Sequence, residues 1–137
     1  MPVKLLVFLY RNPTLSPEDF KKRYEAHIKL VKKLAGDDFP LSHHRNYIAR
    51  SKVEIPPDGS TTRNAYTPAT ILRGRQSEFD FDAYAELTFA DQAAYQAFAT
   101  RIHAPDAAAR ISADEDKFLD RLTLAIALVE EVRVTVK

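Results

Sequence analysis

The sequence predicts an α+β fold in which a four-stranded antiparallel sheet carries its helices on one face. Three observations predict it. Segments of strand and helix character follow one another as β-α-β, a long loop, then β-α-(α)-β. The first helical stretch is well capped and clearly amphipathic. The third strand alternates apolar and polar residues, as a strand covered on one face does. That order is the ferredoxin-like split βαβ arrangement.

Residues 3–10, VKLLVFLY, are nearly all apolar and read as a central strand, ended by Arg11-Asn12-Pro13. The helix over 15–34 follows at once. Ser16 is its N-cap, Pro17 its first residue, and Asp19 stands three residues after the cap. Phe20, Tyr24, Ile28, Val31 and Leu34 form its apolar stripe, and His27 falls within that stripe. Lys21, Lys22, Arg23, Glu25, Lys29, Lys32 and Lys33 take the other side. Gly36 is placed to end the helix.

Residues 39–51, FPLSHHRNYIARS, turn strand-like, so His43, Arg45 and Tyr47 share one face while His44, Asn46 and Ile48 share the other. A loop at about 52–78 follows, rich in proline and glycine. It is too long for a plain connector and reads as a flap or as a piece reaching a partner subunit. Residues 79–89, FDFDAYAELTF, put Phe81, Ala83, Ala85, Leu87 and Phe89 on an apolar face and Asp82, Tyr84, Glu86 and Thr88 on a polar one. A helix over 90–102 comes next and Pro105 interrupts it. Ser112 to Glu115 reads as a capping box opening a last helical piece. Residues 123–136 close the chain as a strand with Val132, Val134 and Val136 in alternation.

One domain over residues 1–137 fits this length, which is enough to bury a real core. Twenty Lys and Arg against nineteen Asp and Glu argue against a nucleic-acid partner. With no cysteine, disulfides, thiolate catalysis and iron–sulfur clusters are excluded. The N-terminal apolar run is too short to span a membrane or to serve as a secretion signal, so a cytoplasmic protein without a membrane partner is expected. No His-x-His or His-x-x-x-His spacing suggests a metal site. Three glycines make no phosphate loop, and no serine stands in a Gly-x-Ser-x-Gly setting. A sheet with helices on one face leaves its other face bare, so a homodimer pairing face to face, a dimeric α+β barrel, is the expected assembly.

The strings LVFLYRNPTLSPEDFKKRYEAHIKLV, FPLSHHRNYIARS, NAYTPATILRG, FDFDAYAELTFADQAAYQAF and ADEDKFLDR, in this order and spacing, span essentially the whole chain. In them the chain resembles the EthD-domain proteins of the dimeric α+β barrel superfamily, and more specifically fungal members encoded beside aromatic polyketide synthases. The resemblance implies a single EthD-like domain and a lyase that needs no cofactor. Its implied substrate is an anthrone- or anthraquinone-type carboxylic acid such as atrochrysone carboxylic acid, which is decarboxylated. Dehydration, and cofactor-free oxygenation or cyclisation, are alternatives within the same superfamily. A non-catalytic dimer that binds a small molecule is the alternative outside it.

Proton-transfer chemistry selects the candidate residues. A histidine titrates near neutral pH, so His27, which the resemblance places at a functional helix position, is the first acid–base candidate. A lone histidine on an apolar stripe is more commonly a hydrogen-bonded core residue, and that reading stands beside it. His43 is preferred to His44 because it shares a face with Arg45 and Tyr47, a trio suited to holding a carboxylate or phenolate. Glu86 is the catalytic carboxylate candidate, and His44, Tyr47, Asp82, Tyr84 and Tyr66 are the substrate-binding ones. The bland reading of Asp82 and Glu86 is that each pairs with a cation. Arg63 and Arg73 join Tyr66 in the loop, and His103 is left at the surface.

Overall fold

A computed structural model describes all residues, 1–137. β1 (Val3–Leu9) is followed by α1 (Pro17–Ala35), β2 (Ser42–Tyr47), β3 (Ala83–Phe89), α2 (Gln92–Ile102), α3 (Pro105–Glu115) and β4 (Ala125–Val129). The four strands form one antiparallel sheet in the order β2-β3-β1-β4. The architecture is the ferredoxin-like α+β fold.

Local chemistry sets the first helix as expected. The Ser16 hydroxyl accepts from the Asp19 amide at 3.1 Å, and Gly36 ends the helix at φ +57, a region only glycine enters freely. This phase buries Phe20, Tyr24 and His27 on one side. On β1, Val3, Leu5, Val7 and Leu9 pair with Phe89, Leu87, Ala85 and Ala83, and this row faces the helices. Two clusters fill the layer between. One holds Leu9, Phe20, Tyr24, Ala83, Ala85, Phe118 and Leu119; the other holds Ala35, Phe89 and Phe98. Burying each large side chain of this kind stabilises by roughly 1.5–3 kcal/mol.

Several expectations need correction. The strand expected from Phe79 starts only at Ala83, because Gln76–Phe79 form a 3₁₀ turn. The alternation therefore does not reach back to 81 and 82. Phe81 lies on the face opposite Ala83, its ring 4.8 Å from Phe8 and 6.3 Å from Tyr84. Asp82 turns inward and is buried. Pro105 begins α3 rather than merely interrupting, and Ser112 to Glu115 close that helix instead of capping a new one. The closing strand is the short β4, and residues 130–137 continue beyond it outside the sheet.

The long loop folds onto its own chain. Arg63 donates to the Arg11 carbonyl at 2.7 Å and to Asp120 at 2.6 Å, and Arg11 donates to Asn64 and Thr67. The face of the sheet opposite the helices carries Lys4, Leu6 and Phe8 paired with Thr88, Glu86 and Tyr84, and no helix covers it. No helix is long and apolar enough to cross a membrane.

Candidate active site

A cavity of about 250 Å³ lies between the helices and the sheet, where the two core clusters meet. Seventeen of its twenty-two lining residues are hydrophobic, so a ligand inside would be largely stripped of water. The lining residues that carry polar side-chain atoms are Tyr24, His27, His43, Tyr95, His103 and Glu115.

His27 is placed by the phase of α1, one turn after Tyr24, and is 6% exposed. Its ring centroid is 5.1 Å from that of Phe118. The last turn of α3 brings two adjacent carboxyls to the imidazole. Nδ1 is hydrogen-bonded to Asp114 Oδ2 at 2.8 Å, and Nε2 is 3.8 Å from Glu115 Oε2. Asp114 accepting at Nδ1 fixes the tautomer and ring orientation and leaves Nε2 for the cavity. Burial pushes the Glu115 carboxyl up, against the pull of His27 and Arg121.

The second polar pair joins α1 to β2. The Tyr24 hydroxyl and His43 Nε2 are linked by a 2.9 Å hydrogen bond. Burial, with Arg45 nearby, lowers His43 from 6.5 to about 4, and burial raises the Tyr24 phenol above its ordinary range. Both groups are therefore neutral near pH 7. Beside them Arg45 grips Glu25 in a bidentate pair, Nε–Oε2 2.5 Å and Nη2–Oε1 2.6 Å, and the Tyr47 hydroxyl donates to the same carboxylate. The Arg45 hydrogen bond, ahead of smaller contributions, holds Glu25 down at about 2.

The structure thus unites some of the candidates and scatters the rest. His27 and His43 share the cavity. His43, Arg45 and Tyr47 do share a face, but a carboxylate of the same chain, Glu25, already occupies the anion position between Arg45 and Tyr47. His44 and Glu86 are register partners on the uncovered face, where Glu86 is 3.7 Å from Lys4. Tyr84 stands on that face beside Phe81. Asp82 lies beneath the loop, accepting from Arg11 and Arg50. Tyr66 is 59% exposed and borders, with Arg63, a separate polar cleft of about 400 Å³. His103, assigned to the surface, is exposed yet reaches the cavity rim.

Sequence reasoning missed Asp114 and Glu115 as partners of His27, and treated Tyr24 as core only. The available signal was ADEDKF read as the end of a helix: two acids in a last turn sit badly with the helix dipole, which marks them for another use. No group of three or more His, Asp or Glu is arranged to hold a metal ion.

Comparison with known structures places this geometry in a setting. The chain is similar to an EthD family protein from Bacillus halodurans, with 21% identity and a TM-score of 0.53 over 96% of this chain and 100% of that one. It is similar to SnoaB, a cofactor-independent oxygenase from Streptomyces nogalater, with 11% identity and a TM-score of 0.51 over 97% and 95%. A dimeric ferredoxin-like protein of unknown function from Bacteroides fragilis matches with 8% identity and a TM-score of 0.51 over 95% and 96%. At such identities the likeness is one of fold. Among curated proteins none matches. The EthD domain itself matches over residues 12–122, from the end of β1 to the approach to β4 and through every residue of the His27 cluster, and the chain belongs to the EthD domain family.

Proposed function

We propose that this protein is a cofactor-independent lyase that decarboxylates an aromatic polyketide carboxylic acid inside the cavity, working as a homodimer. The observation that carries this reading is His27: one nitrogen is committed to Asp114 while the other, at the apolar cavity, lies 3.8 Å from a Glu115 carboxyl that burial pushes up. A β-keto or ortho-phenolic carboxylate brings its own electron sink. The bond to the carboxyl carbon breaks, CO₂ leaves, and the electron pair passes into the neighbouring carbonyl as an enolate. The apolar lining favours this step, since it strips water from the carboxylate more than from the spread charge of the product enolate. Tyr24, placed by His43, donates to the enolate oxygen. His27 in its imidazolium form then delivers the Nε2 proton to carbon and is left as the neutral Nδ1–H tautomer that Asp114 holds, and Glu115 is close enough to return a proton to Nε2. An acid or base of this kind contributes typically 10²–10⁴-fold in rate.

The dimer is supported by the uncovered sheet face with Leu6, Phe8, Phe81 and Tyr84 on it, and by the dimeric Bacteroides relative. Mass spectrometry of the product from an anthrone carboxylic acid tests the reaction. Loss of CO₂ is expected; loss of water would make the protein a dehydratase, and gain of oxygen an oxygenase. His27→Ala is expected to lower turnover by about 10²–10⁴-fold. Turnover within a few-fold of wild type would remove His27 from the chemistry.

A further inference from the structure

β4 pairs with β1 alone, so its other edge is free. The register Leu5↔Leu128 and Val7↔Ile126 puts Ile126 and Leu128 on the same face as Leu5 and Val7, the face that the helices cover. Yet Ile126 is 60% and Leu128 72% exposed. The helices do not reach this edge, and Leu124 and Ile126 form a rim of the His27 cavity there.

Beyond β4 the chain runs on as EEVRVTVK, residues 130–137. Val132, Val134 and Val136 are all exposed, and no backbone hydrogen bond ties this arm to the rest of the chain. β-branched residues at every second position favour a strand. Their parity is that of Ile126 and Leu128, so an extended arm continues that row out of the sheet, apolar except at Glu130. Folding back onto its own β4 would need a tight turn at Val129-Glu130-Glu131-Val132, which contains no glycine, asparagine, aspartate or proline.

A second copy supplies what the arm lacks. Two identical strands related by a two-fold axis are antiparallel, and each is then the partner of the other. Centring the axis on Val132 sets Glu131 of one copy against Arg133 of the other, twice, and Leu128 against Val136. Opposite charges facing across strands favour this register over its neighbours. We infer that residues 127–137 of two copies pair in this way, each arm laying Val136 opposite the other copy's exposed Leu128 and diagonal to its Ile126, at the open side of the cavity. The site would then be complete only in the dimer. This rests on the homodimer proposed above but not on the reaction, and neither test below uses turnover.

The absence of native cysteine makes the test clean. In a Leu128→Cys, Val136→Cys double variant, the two sulfurs of one extended chain are roughly 26 Å apart at about 3.3 Å per residue. A disulfide needs Cα atoms within about 7 Å. Mild oxidation is therefore expected to give a covalent dimer on a non-reducing gel. A disulfide closed within one chain, or free thiols throughout, would overturn the inference. Should that variant fail to fold, the exposed pair offers a second route. Glu131→Arg is expected to raise the dimer dissociation constant by about two- to thirty-fold from two like-charged pairs, and Glu131→Arg with Arg133→Glu to restore it. An unchanged constant in the single variant would sink the register.

Discussion

Two clusters of charge, one buried and one partly buried, lie in this small domain and are built on opposite plans. Around Asp82, at the end of the sheet beneath the loop, Arg11, Arg50 and Asp82 side chains are each 3% exposed. Asp82 Oδ1 accepts from both guanidiniums, and Oδ2 accepts from the Arg11 amide. The remaining guanidinium nitrogens donate to Asn64, Thr67 and the carbonyls of Leu15, Thr67, Phe79 and Phe81. Every nitrogen and oxygen of the three charged groups has a partner within the chain. Around His27, by contrast, one nitrogen is answered and the other has no hydrogen-bond partner at the apolar chamber, with the Glu115 carboxyl, pushed up by burial, 3.8 Å away. The first cluster stitches a loop to a sheet; the second leaves a ring nitrogen of His27 without a hydrogen-bond partner. Burial alone does not mark a site, but burial with an uncommitted valence does.

Removing the central anion of the first cluster is the strongest way to break this contrast. Asp82→Ala leaves two buried guanidiniums facing each other without a carboxylate. The cost expected for stranding a buried charge is about 3–5 kcal/mol, measured as the shift in urea denaturation. If Asp82→Ala melted like wild type, the cluster would not be structural and Asp82 would return as a ligand-binding candidate.

The second cluster should answer differently. Asp114→Asn keeps an acceptor for His27 Nδ1 but also offers an N–H₂ that selects the other tautomer. Stability is expected to change by less than about 1 kcal/mol, since Asp114 is a quarter exposed. Turnover is expected to fall by at least about tenfold, though less than for His27→Ala. A stability loss as large as that of Asp82→Ala, with turnover intact, would make the two clusters alike and both structural.

What could be read in advance follows the range of each interaction. Ser16, Pro17 and Asp19 fix the phase of α1 over a few residues, and that phase alone puts His27 beside Tyr24. Strand parity likewise sets His43, Arg45 and Tyr47 on one face. Both are local rules, and both hold. The partner of His27 lies 87 residues away in sequence, and only the packing of α3 against α1 joins them. Its acids were hidden because Ser-Ala-Asp-Glu reads as a capping box at a helix start, whereas it closes α3. Asp82 was misplaced for a related reason: the 3₁₀ turn at Gln76–Phe79 delays the strand, and one displaced start swaps the faces of Phe81 and Asp82.

The smallest expected effect concerns the polar end of the cavity, where two groups pull stability in opposite directions with pH. His43 binds its proton at 6.5 when unfolded and at about 4 when folded. Over that interval the unfolded chain holds more protons, so the His43 contribution is whole above 6.5 and is lost as pH falls towards 4. Glu115 has the reverse sign. Its folded value is raised above the ordinary 4.5, so its contribution is present below 4.5 and lost as pH rises through the raised value. Melting temperatures between pH 7 and pH 4 separate them. His43→Gln, which retains a partner for the Tyr24 hydroxyl, is expected to flatten the fall in acid. Glu115→Gln is expected to steepen it by removing the opposing term. Two profiles parallel to wild type would mean that neither group is held from water, and the chamber around His27 would lose the dryness that distinguishes it from the rest of the surface.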